Sequence, residues 1–110
     1  MTCEVSWSRN AQDALESLRQ FWVDKGNADA ATRAGKTISE SAKSLAHRPY
    51  VGRPVRDENF PPGSRTWFVP FGSAGYSLLY AADGEEIVVL SVKHTRQLEY
   101  PGFEQLGEDA

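Results

Sequence analysis

The densest group of chemistry-bearing side chains in this sequence follows its most apolar run. Residues 87–92 read IVVLSV, and residues 93–100 continue at once as KHTRQLEY. If the chain remained extended there, alternate side chains would lie on one side of the backbone. These would be His94, Arg96, Leu98 and Tyr100. A histidine and a tyrosine can exchange protons with a substrate, and the planar guanidinium of an arginine can hold a phosphate.

Groups of this kind are the ones that RNA cleavage without a metal requires. An attacking 2′-hydroxyl needs a base, the leaving oxygen needs an acid, and the phosphate needs a positive clamp. The same residues also fit a plainer interpretation, a polar strand end leaving the core. Taken alone, the pattern favours that plainer interpretation.

Other chemistry-bearing motifs do not occur in the sequence. It has no Gly-rich phosphate loop, no Ser-His-Asp arrangement and no Cys/His cluster with metal-ligand spacing. The single Cys3 cannot form an internal disulfide. No apolar run approaches the roughly 18 residues that span a bilayer, and the first ten residues lack a signal-peptide core. The sequence therefore predicts a cytoplasmic domain with no metal, no cofactor and no membrane association.

Charge is unevenly distributed along the chain. Twelve Lys and Arg against fifteen Asp and Glu give a net charge of −3 over 110 residues, so the domain as a whole is not a generic nucleic-acid binder. Residues 33–65 nevertheless hold seven basic and three acidic residues, whereas residues 66–110 hold two basic and seven acidic ones. The basic middle indicates either a surface for an anionic partner or a solvated helix face with a polar loop.

The elements that position these residues begin with a strand and two helices. Alternation over residues 3–7 predicts a half-buried strand. Ser8 or Asn10 can cap a first helix, whose apolar stripe is Ala11, Ala14, Leu15, Leu18, Phe21 and Trp22. Gly26 ends it, and Asn27 caps a second helix over residues 28–45. The small residues in the stripe of the second helix predict close approach, and hence an αα-hairpin.

A loop and three strands complete the predicted domain. Residues 47–63 are rich in Pro and Gly and predict a long loop, or a loop with a short strand near residues 53–56. Strands are predicted at residues 65–71, 76–82 and 86–93, with Pro70 at a sheet edge. The last strand reads as buried on both faces. One domain spans residues 1–103, and residues 104–110 form an acidic tail.

The helix pair can cover only one face of this sheet, yet the strands are apolar on both. Trp67, Val69 and Phe71 share one parity, and Phe68 has the other. We expect the C-terminal segment to cover part of the second face and a partner chain to cover the rest. The alternative is that the long loop folds over it.

Several strings, in this order and spacing, resemble the RelE/ParE toxins of type II toxin–antitoxin systems. They are VSWS at residues 5–8, GRP at 52–54, RTWFVPFG at 65–72, GYSLLY at 75–80 and VLSVKHTRQ at 89–97. The resemblance covers roughly residues 3–103. It implies an α+β fold with an N-terminal strand, an αα-hairpin and a three-stranded antiparallel meander, the helices lying on one face.

The resemblance also implies a growth-inhibiting toxin with a role in plasmid stabilisation. A small cognate antitoxin would silence it by laying a helix and an extended segment across it. Acidic antitoxin tails would match the basic middle of this chain. The residues expected to bind this partner are Arg33, Arg53, Arg56, Trp67 and Phe68.

Two activities divide the family, and this sequence departs from one of them. RelE-like members are ribosome-dependent mRNA endonucleases, whereas ParE-like members inhibit DNA gyrase and are not nucleases. Ser77 stands where the nucleases usually carry an arginine, residues 66–71 hold no lysine, and the net charge of −3 suits ribosomal RNA poorly. The ParE-like interpretation is therefore favoured.

Two alternatives remain open at the level of the sequence. In a RelE-like nuclease, His94 and Tyr100 would be the acid and base candidates, and Arg65 and Arg96 would hold the phosphate. The other alternative is a non-toxic interaction module that has kept the fold and lost the activity.

Overall fold

The computed structural model describes residues 3–104, and residues 105–110 of the predicted acidic tail lie outside them. The elements are β1 (Glu4–Trp7), α1 (Arg9–Asp24), α2 (Ala28–Ser44), a 3-10 helix (Leu45–His47), β2 (Arg53–Pro54), β3 (Ser64–Phe71), β4 (Ala74–Asp83) and β5 (Glu86–His94). Neither helix of residues 3–104 has the length and apolar character needed to cross a membrane.

The strands form one sheet in the order β1-β5-β4-β3-β2. β1 pairs in parallel with β5, and every other pairing is antiparallel. The α+β class, the N-terminal strand and the three-stranded meander are therefore confirmed. The long predicted loop does contain a short strand, β2, which pairs only with Arg65 and Thr66 of β3.

Local capping explains why the two helices start and stop where they do. The Ser8 hydroxyl accepts a hydrogen bond from the Ala11 N–H at 3.0 Å, and the Asn27 side chain accepts one from Ala30. Gly26 follows α1 with a φ of +78°, a conformation that favours glycine. The caps predicted at Ser8, Gly26 and Asn27 are confirmed, and they set the hairpin.

The small residues of α2 pack against the sheet and α1 as expected. The buried positions of α2 and the turn after it are Ala30, Ala31, Ala34, Ile38, Ala42 and Leu45. On the sheet, alternate residues of β3 and β4 face the helices, including Val69, Tyr76 and Leu78. This side of the sheet is the main core of the domain.

A β-bulge interrupts the pairing of β4 with β5. Leu79 pairs with Ser91 and Tyr80 with Val89, so Leu90 is the extra residue. The carbonyl of Leu90 accepts a hydrogen bond from the Asn10 side-chain amide at 2.9 Å. Asn10 is therefore not the cap of α1, because its amide bridges the bulge to the carbonyl of Pro101.

The sheet face away from the helices, called the far face below, is partly covered by the chain itself. Residues 100–103, the C-terminal segment, lie across it: the Ser91 hydroxyl donates to the Pro101 carbonyl at 2.8 Å. Phe103 stacks on Phe60 of the long loop with ring centroids 5.6 Å apart. The expected cover of part of this face by the C-terminal segment is therefore confirmed, and Phe60 of the long loop contributes to it. That a partner chain covers the rest stays a prediction.

Candidate functional site

An open groove of about 780 Å³ lies between the end of α1, the β3–β4 hairpin and the chain that leaves β5. We call it the aromatic groove. The side chains that form its apolar part are those of Ala14, Leu18, Phe21, Trp22, Phe71, Tyr76 and Val92. Phe21 is 52% exposed although it belongs to the predicted apolar stripe of α1. An exposed apolar surface of this kind marks a site of interaction.

A chain of aromatic contacts builds the floor of the aromatic groove. Phe21 and Trp22 meet edge to face at 5.5 Å, and Phe71 lies 6.2 Å from Trp22 and 5.5 Å from Tyr76. The Trp22 indole N–H donates a hydrogen bond to the Tyr76 hydroxyl at 2.9 Å. The aromatic contacts and this hydrogen bond stabilise the arrangement of the floor.

Two cations contact aromatic rings that line the groove. The Lys25 ammonium lies 5.4 Å from the centroid of the Phe21 ring, and the Arg33 guanidinium lies 5.5 Å from that of Phe71. Arg33 also forms an ion pair with Asp29 at 2.8 Å. Arg96 lines the groove itself. Apolar rings with cations close by suit a partner segment that carries apolar and acidic side chains.

His94 is the catalytic candidate that faces this groove. It stands opposite Tyr76 in the sheet, and the two rings meet edge to face at 5.6 Å. Its Nδ1 atom accepts a hydrogen bond from the Arg96 backbone N–H at 3.1 Å. Burial, with smaller contributions from the charges of Arg96 and Lys93, lowers the pKa of His94 below its ordinary value. The neutral imidazole is therefore favoured in the folded chain.

The extended arrangement of residues 94–100 is wrong. The chain turns directly after His94, since the Gln97 N–H donates to the His94 carbonyl at 2.9 Å. Leu98 is 96% exposed. Arg96, Gln97 and Pro101 border the aromatic groove beside His94, whereas the Tyr100 side chain reaches the far face.

Tyr100 lies on that far face, away from His94. Its hydroxyl shares a hydrogen bond of 2.5 Å with the Ser77 hydroxyl, and the Lys93 ammonium lies 5.2 Å from the centroid of its ring. Burial raises the pKa of the Tyr100 phenol, although the bond to Ser77 opposes the shift. Desolvation lowers the pKa of Lys93. Tyr100 thus fastens the start of the C-terminal segment to β4.

Arg65 has a structural environment at the opposite end of the sheet. It pairs with Tyr80, four residues along β4 from the partner of His94, which corresponds to roughly 13 Å of strand. Its guanidinium donates to the carbonyls of Tyr50 and Gly52 at 2.9 and 2.7 Å. Arg65 therefore holds the long loop against the sheet.

The four catalytic candidates are thus divided among three places. Arg96 and His94 are neighbours, Tyr100 is on the other side of the sheet, and Arg65 is distant from all three. The assignment of a nuclease site to these residues remains a prediction. A single phosphate could not contact all four side chains in this conformation.

The residues predicted to bind a partner are also spread over the surface. Arg33 borders the aromatic groove. Arg53 and Phe68 line a smaller cleft of about 350 Å³ on the edge of β3, with Phe68 52% exposed. Trp67 contributes to the same cleft but packs against the core, and Arg56 is exposed beyond β2. Their role in binding stays a prediction.

Sequence reasoning missed the aromatic groove itself. The sequence predicts Phe21 and Trp22 as part of the apolar stripe of α1, and Phe71 as a strand residue that shares its parity with Trp67 and Val69. A signal was present in the sequence, because Phe21 and Trp22 are adjacent and two adjacent helical positions cannot both face one core stripe fully. The groove itself forms only where α1 lies beside the β3–β4 hairpin in the folded chain, and a sequence pattern does not show that contact.

The chain is similar to known toxin proteins in sequence and in fold. Residues 5–99 match the family model described as ParE toxin of type II toxin–antitoxin system, parDE. No curated protein matches the chain. Among solved structures, the chromosomal ParDE toxin–antitoxin system from P. aeruginosa is similar in fold, with a TM-score of 0.66 and 24% identity over 84% of this chain and 96% of that one. The toxin–antitoxin complex RelBE2 from Mycobacterium tuberculosis is similar with a TM-score of 0.61 and 26% identity, over 86% of this chain and 99% of that one.

Proposed function

This chain belongs to the family of ParE toxins of type II toxin–antitoxin systems, since the family model matches residues 5–99, and from that premise we propose that it acts in the cytoplasm as an inhibitor of DNA gyrase. It would do so by binding, without breaking a bond itself. A cognate antitoxin would neutralise it.

The separation of the nuclease candidates carries this proposal. A metal-free nuclease needs its acid, its base and its phosphate clamp around one phosphate. Here Tyr100 is bonded to Ser77 on the far face, and Arg65 donates to two backbone carbonyls. Both side chains are engaged in structural contacts, which supports a binding inhibitor over an enzyme.

The contact of Ser77 adds a second argument at one position. Ser77 stands where RelE-like nucleases usually carry an arginine, and its hydroxyl is bonded to Tyr100. A serine there supplies no positive charge for a phosphate. It contributes instead to the attachment of the C-terminal segment.

Purified protein tests the proposal in a supercoiling assay with gyrase. Wild-type protein should block supercoiling and increase the amount of cleaved DNA trapped with the enzyme. The double variant Arg96→Ala/Tyr100→Phe should inhibit to within about threefold of wild type, since no bond-breaking step depends on these groups. Undisturbed supercoiling at micromolar wild-type protein would remove the gyrase proposal.

The aromatic groove is the surface that we propose for the apolar part of the antitoxin. Two similar structures are those of toxin–antitoxin systems, which supports a cognate antitoxin for this chain. The groove offers apolar rings, and Lys25 and Arg33 stand beside them for acidic side chains. Arg53, Arg56, Trp67 and Phe68 would contact a further, extended part of the same partner.

A pair of α1 variants tests this placement. Phe21→Asp puts a charge in the aromatic groove, whereas Val23→Asp puts the same charge on an exposed position that does not line it; the two side chains are 52% and 47% exposed. Phe21→Asp should weaken antitoxin binding at least tenfold by calorimetry, and Val23→Asp less than threefold. Equal effects would show that the groove is not the binding surface.

A ribosome-dependent mRNA endonuclease is the second candidate. The similarity to the RelBE2 complex and the proximity of Arg96 to His94 favour it. If it held, mRNA cuts mapped on translating ribosomes would appear with wild type and disappear with Arg96→Ala and with Tyr100→Phe. A non-toxic module is the third, and harmless induced expression without antitoxin would support it.

A further inference from the structure

The edge of the sheet formed by β2 carries a concentration of arginines. We call Arg48, Tyr50, Arg53, Arg56 and Arg65 the basic edge. Residues 47–56 contain no acidic side chain. Arg53 and Pro54 pair with β3, so Arg53 lies on the edge strand of the sheet, and Arg48 and Arg56 lie in the chain shortly before and after it.

Three of these arginines have no carboxylate partner within residues 3–104. Arg48, Arg53 and Arg56 are exposed, and none of them forms an ion pair among the described residues. By contrast, Arg9, Arg19 and Arg33 each pair with a carboxylate on their own helix. The positive charge of the basic edge is therefore available to an external anion.

Hydrogen bonds with side chains of the sheet fix the backbone of residues 49–52, which lies between Arg48 and Arg53. Tyr80 accepts a hydrogen bond from the Gly52 N–H and donates one to the Pro49 carbonyl, both at 2.9 Å. Arg65 donates to the carbonyls of Tyr50 and Gly52, and its guanidinium lies 5.1 Å from the centroid of the Tyr50 ring. A fixed backbone reduces the ordering cost when the arginines engage a ligand.

Tyr50 adds an aromatic surface to the same edge. Its side chain is 54% exposed although its ring packs on Arg65. An exposed tyrosine among arginines can pack against a sugar or donate a hydrogen bond to a phosphate oxygen. This combination is typical of surfaces that contact nucleic acid.

We propose that the basic edge binds the phosphate backbone of duplex DNA without reading its sequence. Arginine forks match phosphate oxygens in geometry, and duplex DNA presents one negative charge per roughly 1.7 Å of its axis. The large aromatic groove lies between α1 and the β3–β4 hairpin, at a different place from the basic edge. The choice of duplex DNA over RNA rests on the proposed function, because gyrase acts on DNA.

Fluorescence anisotropy with the full chain and a labelled 20-base-pair duplex tests the inference over a series of salt concentrations. Three contacting arginines predict a slope of log affinity against log salt of about −2.7, because each phosphate contact contributes about −0.9. Arg53→Ala/Arg56→Ala should reduce the slope to about −0.9 and weaken binding at least tenfold at low salt. Arg9→Ala/Arg19→Ala removes the same charge elsewhere and should change affinity less than threefold.

Three outcomes would overturn the inference. The first is no duplex binding at about 10⁻⁴ M protein, the weak limit of non-specific affinity. The others are tighter binding of single-stranded RNA of equal length and equal losses in the two double variants. None of these measurements contains gyrase. The inhibition of supercoiling can therefore survive a failure of the DNA inference, and the reverse also holds.

Discussion

At the scale of single residues, the Tyr80 hydroxyl holds the long loop against the sheet. Tyr80 is buried, and its hydroxyl is both acceptor for Gly52 and donor to Pro49. Burial raises the pKa of its phenol, although the Gly52 N–H and the charge of Arg65 oppose the shift. The neutral phenol is thus a structural part of the long loop, which the sequence did not reveal because Tyr80 and Gly52 are 28 positions apart.

Replacing Tyr80 with Phe should destabilise the domain by about 1–3 kcal/mol, since a buried N–H and a carbonyl would each lose a partner. Urea unfolding of both proteins would measure the difference. Tyr50→Phe removes a hydroxyl from an exposed side chain and is the matched control, with an expected change below about 0.5 kcal/mol. Equal losses in the two variants would contradict the structural role of the Tyr80 hydroxyl.

The lowered pKa of His94 predicts a pH dependence of stability. Because the unfolded chain binds a proton at His94 more readily than the folded chain, the free energy of unfolding should fall as pH decreases through about 6.5. His94→Gln should lose less stability than wild type between pH 7.5 and pH 5.5 in urea unfolding. His47→Gln, at an exposed position, should keep the wild-type dependence; if it abolished the dependence instead, His94 would not be its source.

At the scale of elements, local sequence patterns correctly predicted the helix caps and the strand hairpins, because interactions between residues close in sequence determine these features. Caps at Ser8 and Asn27, the small-residue stripe of α2 and the hairpin signals between β3, β4 and β5 all lie within a few residues of the structures they specify. The bulge at Leu90 and the position of Pro101 depend on hydrogen bonds from the Asn10 side chain. These contacts join residues 80–91 positions apart, so no local pattern could show them.

The attachment of the C-terminal segment can be tested at Gly102. This glycine has a φ of +86°, and a Cβ there would collide with the side chain of Asn10. Gly102→Ala should therefore release residues 100–103 and destabilise the domain by at least about 1 kcal/mol more than Gly72→Ala. Gly72 has a φ of +61° with open space around it, so its variant carries only the backbone strain of about 1–2 kcal/mol.

Hydrogen exchange is the second readout for Gly102→Ala. The Phe103 N–H donates to the Tyr100 carbonyl at 2.9 Å and should lose protection when the segment is released. Gly72→Ala should leave that protection unchanged. The same protection in both variants would mean that Asn10 does not hold the C-terminal segment.

At the scale of the whole molecule, two surfaces of different chemistry lie on one small domain. The aromatic groove lies between α1 and the β3–β4 hairpin, and the basic edge borders the sheet at β2. Residues 100–103 cover part of the far face, and Phe68 on the same face stays 52% exposed. The aromatic groove therefore offers an apolar site to a neutralising partner on the helix side of the sheet.

Induced expression of the chain without its antitoxin, with DNA-damage response and protein synthesis followed in parallel, tests the gyrase account most directly. The account predicts that the DNA-damage response rises first, while protein synthesis continues at its initial rate and ribosome-associated mRNA stays intact. An early fall in protein synthesis with cut mRNA and no DNA-damage response would contradict it.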